Sequence, residues 1–385
     1  MRWPTISIVL QTPVDNSAIV AALEVALGGG PAVLPLSAAD PRAAELREAM
    51  APAEPTLPGT AVVVATSGST GAAKGVELSA AALTASATAT HARLGGPGQW
   101  LLTLPAHHVA GVQVIVRSLL AGTRPVLRGT QTFAEAVNSM NAGRRYTSLV
   151  PTQLLRLLDD PVGLDALRTL DAVLLGGAAT PAPLLARARA QGVRISTTYG
   201  MSETAGGCVY DGHPLDGVLV RLAGGVVELA GPTLATGYRR APDATRAAFV
   251  DGWFRTTDLG VLRPDGTLEI LGRADFVINT GGVKVAPAAV EAVLTAQAGV
   301  AEACVVDLPD AEWGQVVAAA VVPVDPARPP EVADLRAAVR ERLGGPAVPK
   351  VVRFADALPL RGPGKVDRDG VRDLFAGEPD ARRAR

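Results

Sequence analysis

The densest run of chemically active residue types is Thr66-Ser67-Gly68-Ser69-Thr70-Gly71-Ala72-Ala73-Lys74-Gly75, directly after the apolar stretch 60–65. Hydroxyls and glycines packed this closely let backbone N–H groups approach an anion, and Lys74 adds a compact positive charge. The spacing predicts a phosphate-binding loop with a strand before it and a helix after it. It departs from the loop of P-loop nucleoside triphosphatases, because Lys74 follows Gly71 by three residues and precedes Gly75 rather than Ser or Thr. A flexible Ser/Gly turn is the plainer alternative, and the lysine and the expected flanking elements weigh against it. Lysine is itself scarce: of 36 basic residues only Lys74, Lys284, Lys350 and Lys365 are lysine. In a chain that favours arginine so heavily, each lysine is a candidate for a role that needs a point-like ammonium, with codon bias as the bland explanation.

The elements that must position this loop follow an alternating pattern. Strand-like runs at 60–65, 100–104, 148–150 and 172–175 are separated by helical stretches at 79–92, 112–121 and 152–159, the pattern of a layered α/β domain with parallel crossovers. From 218 onward the character changes to β-hairpins, including 259–263 and 267–271 around a Pro264-Asp265-Gly266 turn. A second pattern then begins: strand 275–279, helix 287–297, strands 302–307 and 315–323, helix 331–343 and strand 350–354. The expected fold is therefore a large layered α/β domain with a β-rich subdomain, residues 1–273, followed by a small mobile α+β domain, residues 274–385.

Composition narrows the function. The 385 residues are 48% hydrophobic and 19% charged, too apolar for a disordered chain. A net charge of -1 gives no global field for a phosphate backbone or an anionic membrane, so nucleic acid is not an expected partner. Cys208 and Cys304 form neither a CxxC pair nor a disulfide ladder, which argues against structural zinc and suits a reducing compartment. No tract reads as a signal peptide or membrane span, and a soluble cytoplasmic protein is expected.

Further motifs follow the loop in order. They are Leu104-Pro105-Ala106-His107-His108-Val109-Ala110-Gly111, Gly176-Gly177-Ala178, Tyr199-Gly200-Met201-Ser202-Glu203-Thr204 and Gly231-Pro232-Thr233-Leu234-Ala235-Thr236-Gly237-Tyr238. Then come Trp253-Phe254-Arg255-Thr256-Thr257-Asp258-Leu259-Gly260, Gly272-Arg273-Ala274-Asp275 with Gly281-Gly282-Val283-Lys284, and Pro359-Leu360-Arg361-Gly362-Pro363-Gly364-Lys365-Val366-Asp367-Arg368. In this order they resemble the adenylate-forming enzymes, which include acyl- and aryl-CoA ligases, luciferases and peptide-synthetase adenylation domains. The resemblance runs from residue 66 to 368.

The resemblance implies ATP, Mg2+ and coenzyme A as cofactors or co-substrates and a small-molecule carboxylate as partner. ATP would be held by Thr66, Ser67, Gly68, Ser69, Thr70, Gly71 and Lys74, with Gly176, Gly177, Ala178, Tyr199 and Gly200 about the adenine. Asp258 would accept from the ribose hydroxyls with Arg273 nearby, although an Asp in a turn is often only a turn former. Glu203 would hold the metal together with phosphate oxygens, and Thr204 would offer its hydroxyl to the α-phosphate, though a helix cap explains it equally well. Lys365 would bridge the substrate carboxylate and the α-phosphate as charge rearranges.

Asp275 matches the family hinge, about which the small domain swings between adenylation and thioester formation. Gly281 and Gly282 would leave a slot for a pantetheine arm, and Lys284 would contact a CoA phosphate or be a plain surface lysine. His108 and Val109, with Gln153, Leu154, Gly207 and Cys208, would line the acyl pocket, and a packed histidine is the competing reading of His108.

The segment before the loop is shorter than in full-length relatives, so part of the outer N-terminal subdomain is expected to be missing. Such a short Ala/Arg/Gly-rich form looks most like the actinobacterial o-succinylbenzoate-CoA ligases of menaquinone biosynthesis, implying a small aromatic keto-diacid as substrate. A ligase for another aryl or short acyl acid, a carrier-protein loader and a non-catalytic nucleotide binder are the alternatives. A homodimer is compatible with the resemblance.

Overall fold

Three of the four apolar runs expected to form parallel crossovers, 100–104, 148–150 and 172–175, do so, whereas the run 60–65 pairs antiparallel in a second sheet. In the computed structural model, which describes residues 10–67, 73–360 and 366–376, strands β3 (Gln99–Leu102), β4 (Val126–Leu127), β5 (Arg145–Leu149), β6 (Ala172–Leu175) and β7 (Ile195–Met201) lie parallel in the order β4-β3-β5-β6-β7. β8 (Gly206–Tyr210) and β9 (His213–Pro214) extend the sheet antiparallel. β3 and β6 bury every residue, as strands covered on both faces do. Helix α3 (Ala80–Arg93) leads into β3, and α4 (Val109–Leu120), α5 (Phe133–Asn138), α6 (Pro151–Asp159) and α7 (Pro161–Arg168) fill the intervals from β3 to β6. Their starts are chemically marked: the Ser79 hydroxyl accepts from Ala82 N–H at 3.0 Å, and Thr132 and Glu135 form a capping box.

A second sheet carries the phosphate-loop candidate. β1 (Thr60–Ser67) and β2 (Ala73–Ser79) are antiparallel with Thr66 opposite Lys74, and β12 (Gly237–Tyr238) pairs with the far edge of β2. Ser67 and Ala73 therefore end and begin two antiparallel strands. This corrects the expectation of a strand-to-helix turn, since α3 begins only after β2. The reason lies in packing: Gly75 through Leu78 are buried in succession, and a Cβ on Gly75 would lie 2.5 Å from Met50 Sδ and 3.0 Å from Arg239 Cβ. Those contacts hold the segment extended against its neighbours. Gly68, Ser69, Thr70 and Gly71 lie outside the described residues, as does the side chain of Ser67.

The N-terminal portion closes the open side of this sheet with α1 (Asn16–Leu27) and α2 (Ala43–Ala49). Val33 bridges Val62 in parallel, and Leu10, Ala32, Leu34, Leu36, Met50 and Val63 form a small core.

The expected hairpins follow: β10 (Leu219–Ala223) beside β11 (Val226–Ala230), α9 (Pro242–Ala248) leading into β13 (Phe249–Val250), and β14 (Trp253–Leu262) against β15 (Leu268–Arg273). By contacts the chain divides into two compact units. One takes in residues up to Gly176 with Gly192–Arg221 and Glu228–Thr256; the other takes in Gly177–Gln191, Leu222–Val227 and everything from Thr257. The second unit thus includes α8 (Ala182–Ala190), which touches α10 (Pro287–Thr295).

The core of the second unit is a sheet in the order β17 (Val283–Val285), β16 (Ile278–Thr280), β19 (Gly314–Pro323), β18 (Val300–Asp310), with β20 (Val351–Phe354) parallel to β19. Alternation along β19 divides two cores. Val317, Ala319 and Val321 pack with Val290 and Leu294 of α10 and Leu335 and Val339 of α11 (Val332–Leu343). Ala318 and Ala320 face the other way, toward Val371 of α12 (Arg368–Asp373) and Phe375. Among the described residues no helix is long and apolar enough to cross a membrane.

Candidate active site

The first unit brings the hairpin, the Glu203 turn and β12 together. β12 places Tyr238 beside Val76 of β2, and its ring lies 5.4 Å from Lys74 Nζ in cation–π geometry. The phenol donates to Glu203 Oε1 at 2.9 Å. Burial and the Glu203 charge push the Tyr238 hydroxyl well above its ordinary range, so it remains a donor at neutral pH. Tyr238 ends the 231–238 motif, and nothing in its local spacing marks it as a partner of Glu203.

Glu203 and Thr204 belong to a single 3₁₀ turn, Ser202–Thr204, after β7. The Thr204 hydroxyl accepts from Met201 N–H at 2.9 Å and lies 2.7 Å from Gly206 O, to which it donates. It thus performs the capping role, and binding an α-phosphate oxygen would require exchanging the Gly206 bond. Ala205 follows in the left-handed region at φ +51°, fixed by the Ser86 hydroxyl on its carbonyl at 3.1 Å. The Glu203 carbonyl accepts from Ala235 N–H at 2.8 Å, tying the turn to the segment before β12. Among the described residues no group of three or more His, Cys, Asp or Glu surrounds a metal-sized site. The donor chemistry fits a magnesium ion carried by nucleotide oxygens and one carboxylate.

The small residues here are needed for close approach. A Cβ on Gly176 would sit 2.2 Å from Thr198 Oγ1, and one on Gly200 would sit 2.1 Å from Gly206 O. Tyr199, half-buried on β7, lies between these contacts in sequence. Gly177 has φ +81°, and both it and Ala178 are exposed.

The residues expected to line an acyl pocket divide. His108 and Val109 open α4 and are half-buried, and Val109 Cγ2 lies 3.9 Å from the Cβ position of Gly206. The His108 ring lies 4.4 Å from that of His107, whose pKa is lowered by burial against the opposing pull of Asp40. Gly207 on β8 is backed by Tyr210, whose Cε1 is 3.0 Å from the Gly207 Cβ position. Tyr210 is in turn braced by the buried Arg117 and by Thr90, at 3.2 and 2.9 Å. Leu154 and Cys208 are wholly buried. Burial drives the Cys208 thiol up to about 12, which leaves it unreactive. The Gln153 carboxamide is committed to Val150 N–H at 3.1 Å and Thr103 O at 3.0 Å, locking α6 onto the end of β3.

Gly111 explains the spacing of the histidine motif. Its Cβ would fall 2.1 Å from Pro105 O, so only glycine lets the first turn of α4 lie on the 105–108 segment. We expect Gly111→Ala to destabilise the protein by ~1–3 kcal/mol through overpacking and to raise KM for the acid by displacing His108. Unchanged thermal unfolding would refute this account.

In the second unit Asp258 and Arg273 are directly opposed across β14 and β15. The Arg273 guanidinium forks onto Asp275 at 2.8 and 2.5 Å. Gly281 and Gly282, at φ +57° and +82°, make the two-residue turn between β16 and β17. The expected open slot exists only at Gly282, where nothing lies within 4 Å of a Cβ. At Gly281 the space is filled, because a Cβ would meet Trp313 Cε3 at 2.3 Å. Trp313 is 44% exposed, Lys350 Nζ stands 5.9 Å over its ring, and Lys284 is exposed on β17. Lys365 lies outside the described residues.

Comparison with known proteins agrees with this geometry. The AMP-binding enzyme family matches residues 9–232, and the AMP-binding enzyme C-terminal domain matches residues 289–365. The chain is 49% identical over 329 residues to a Mycobacterium tuberculosis protein named "Probable 2-succinylbenzoate--CoA ligase", covering 83% of this chain and 86% of that one. It is similar to the solved structure of o-succinylbenzoate CoA synthetase from Bacillus subtilis in complex with the acyl-adenylate intermediate, at 26% identity and a TM-score of 0.73, covering 94% and 81% of the two chains. It is likewise similar to an amide bond synthetase from Marinactinospora thermotolerans, at 30% identity and a TM-score of 0.73, covering 90% and 76%. With both family regions matched in order over a hairpin, a carboxylate turn and a small α+β unit arranged as described, the chain belongs to the AMP-binding enzymes.

Proposed function

We propose that the protein is an ATP-dependent acid–thiol ligase that activates o-succinylbenzoate as an acyl-adenylate and transfers it to coenzyme A. The observation that carries the adenylation half is the convergence of Lys74, Tyr238 and Glu203 beside the paired ends of β1 and β2. The acid is supported by the 49% identical relative and the substrate in its name.

In the first half a carboxylate oxygen of the acid attacks the α-phosphorus of ATP. The bond to the bridging oxygen breaks, and pyrophosphate leaves. Magnesium bound with the nucleotide would neutralise phosphate charge as it develops. The loop 66–71 and Lys74 would hold the phosphates, Glu203 would hold the metal, and Lys365 would bridge the acid and the α-phosphate. Gly176, Gly177, Ala178, Tyr199 and Gly200 would enclose the adenine, and Asp258 and Arg273 would meet the ribose. His108, Val109 and Gly207 would line the acid pocket, with Gln153, Leu154 and Cys208 fixing its walls from behind.

In the second half the CoA sulfur attacks the acyl carbon, the bond to the AMP oxygen breaks, and the thiol proton is lost. Gly282 leaves room for the pantetheine arm, and Lys284 would meet a CoA phosphate. We place the domain hinge at Asp275, with residues 1–273 and 274–385 as the two bodies.

The test is incubation with ATP, Mg2+ and a panel of carboxylic acids including o-succinylbenzoate, with CoA, a simple amine or neither, reading pyrophosphate and product mass. A CoA thioester formed selectively from o-succinylbenzoate is the expected result. An amide in place of the thioester would favour the chemistry named for the Marinactinospora relative. Thioester from another acid would overturn the substrate alone.

A further inference from the structure

We infer that Tyr238 is a positioning residue for the magnesium-binding carboxylate, acting as a spacer that keeps Lys74 and Glu203 apart while fixing both. The inference rests on the reading of Glu203 as the metal ligand. Lys74 and Glu203 carry opposite charges and both engage this one ring. Among the described residues no salt bridge joins them. The ammonium instead lies over the ring at 5.4 Å, and the carboxylate accepts a hydrogen bond from the phenol hydroxyl at 2.9 Å. Were they to pair, the lysine would be lost to a phosphate and the carboxylate to a cation.

The ring's own position is fixed from several sides. The Tyr238 N–H donates to Thr245 Oγ1 at 2.9 Å, and its neighbour Arg239 donates its N–H to Gly75 O at 2.7 Å. Phe249 meets the ring edge-on at 5.7 Å between centroids. A Cβ on Gly237 would be 2.7 Å from Thr245 Cγ2, so the strand approaches α9 as closely as glycine allows. With Oε1 held by the phenol, Oε2 of Glu203 accepts no hydrogen bond among the described residues and is presented to a cation in one orientation.

The experiment is titration of Mn2+ into the full-length enzyme with ATP and no acid, read by the free-Mn2+ electron paramagnetic resonance signal against the same titration of ATP alone. Pyrophosphate–ATP exchange is followed in a separate reaction that contains the acid. Tyr238→Phe keeps the ring against Phe249 and under Lys74 but removes the proton. It should weaken Mn2+ binding by about tenfold, the equivalent of one charge-assisted hydrogen bond, with a cooperative unfolding transition retained. Tyr238→Leu removes the spacer as well and should also weaken ATP binding in the absence of metal. Glu203→Gln separates the two levels of argument. If it weakens Mn2+ binding and Tyr238→Phe does not, the positioning role is overturned and the metal reading stands. If Glu203→Gln leaves Mn2+ binding unchanged, the metal reading falls and the inference falls with it.

Discussion

Lys365→Ala is expected to cut pyrophosphate release from ATP and acid by ~10²–10³-fold, the scale of losing one preorganised charge partner of a transition state. Thioester formation from supplied acyl-adenylate and CoA is expected to continue at the wild-type rate. The asymmetry follows from the resemblance, which gives the two half-reactions different faces of the small domain and places Lys365 on only one. Rapid-quench measurement of each half separately checks it. Equal loss in both halves would count against domain alternation.

Arg239→Met is expected to cost about 3–5 kcal/mol of folding stability, the range for breaking a buried ion pair by removing one partner. Arg239 and Glu77 are each 2% exposed in their side chains and lie 3.2 Å apart. The same guanidinium donates to the carbonyls of Met50, Ala51, Glu54 and Pro55, at 2.5, 2.8, 2.9 and 3.2 Å. Glu77 also accepts from Leu57 N–H and the Thr60 hydroxyl at 2.7 and 2.9 Å. The substitution would leave that carboxylate buried with neutral donors alone and release the 50–57 segment. Denaturant unfolding gives the number. The Glu77→Gln, Arg239→Met double variant should recover part of the loss, because the two terms are not independent. A single-variant cost below about 1 kcal/mol would mean the segment is held by its apolar contacts instead.

Why the sequence disclosed some of this and not the rest is a matter of contact range. The parallel strands and the small α+β unit were legible because each rests on periodicity within a dozen residues, as in the alternating faces of β19. β2 was misread because the Gly75 environment that holds it extended is made by Met50 and Arg239, remote in sequence. The Arg239–Glu77 pair joins positions 162 residues apart, and the Tyr238–Glu203 bond spans 35. Neither carries a local pattern. The motif order singled out Glu203, Asp258 and Arg273, and the β14–β15 register shows the last two directly opposed. It could not show that Gly281 accommodates an aromatic ring from 32 positions further on, since that requires the β16–β17 turn to meet the start of β19.

The stacking of Trp313 on that turn gives the molecule an optical property. Of its four tryptophans, Trp100 is fully buried and Trp253 lies under the Arg221 guanidinium at 4.0 Å, whereas Trp313 is 44% exposed. Its indole emission is therefore open to aqueous quenchers that do not reach Trp100. Any ligand covering the Gly281 turn would shield that emission, so the β16–β17 turn carries an intrinsic fluorophore whose signal needs no label.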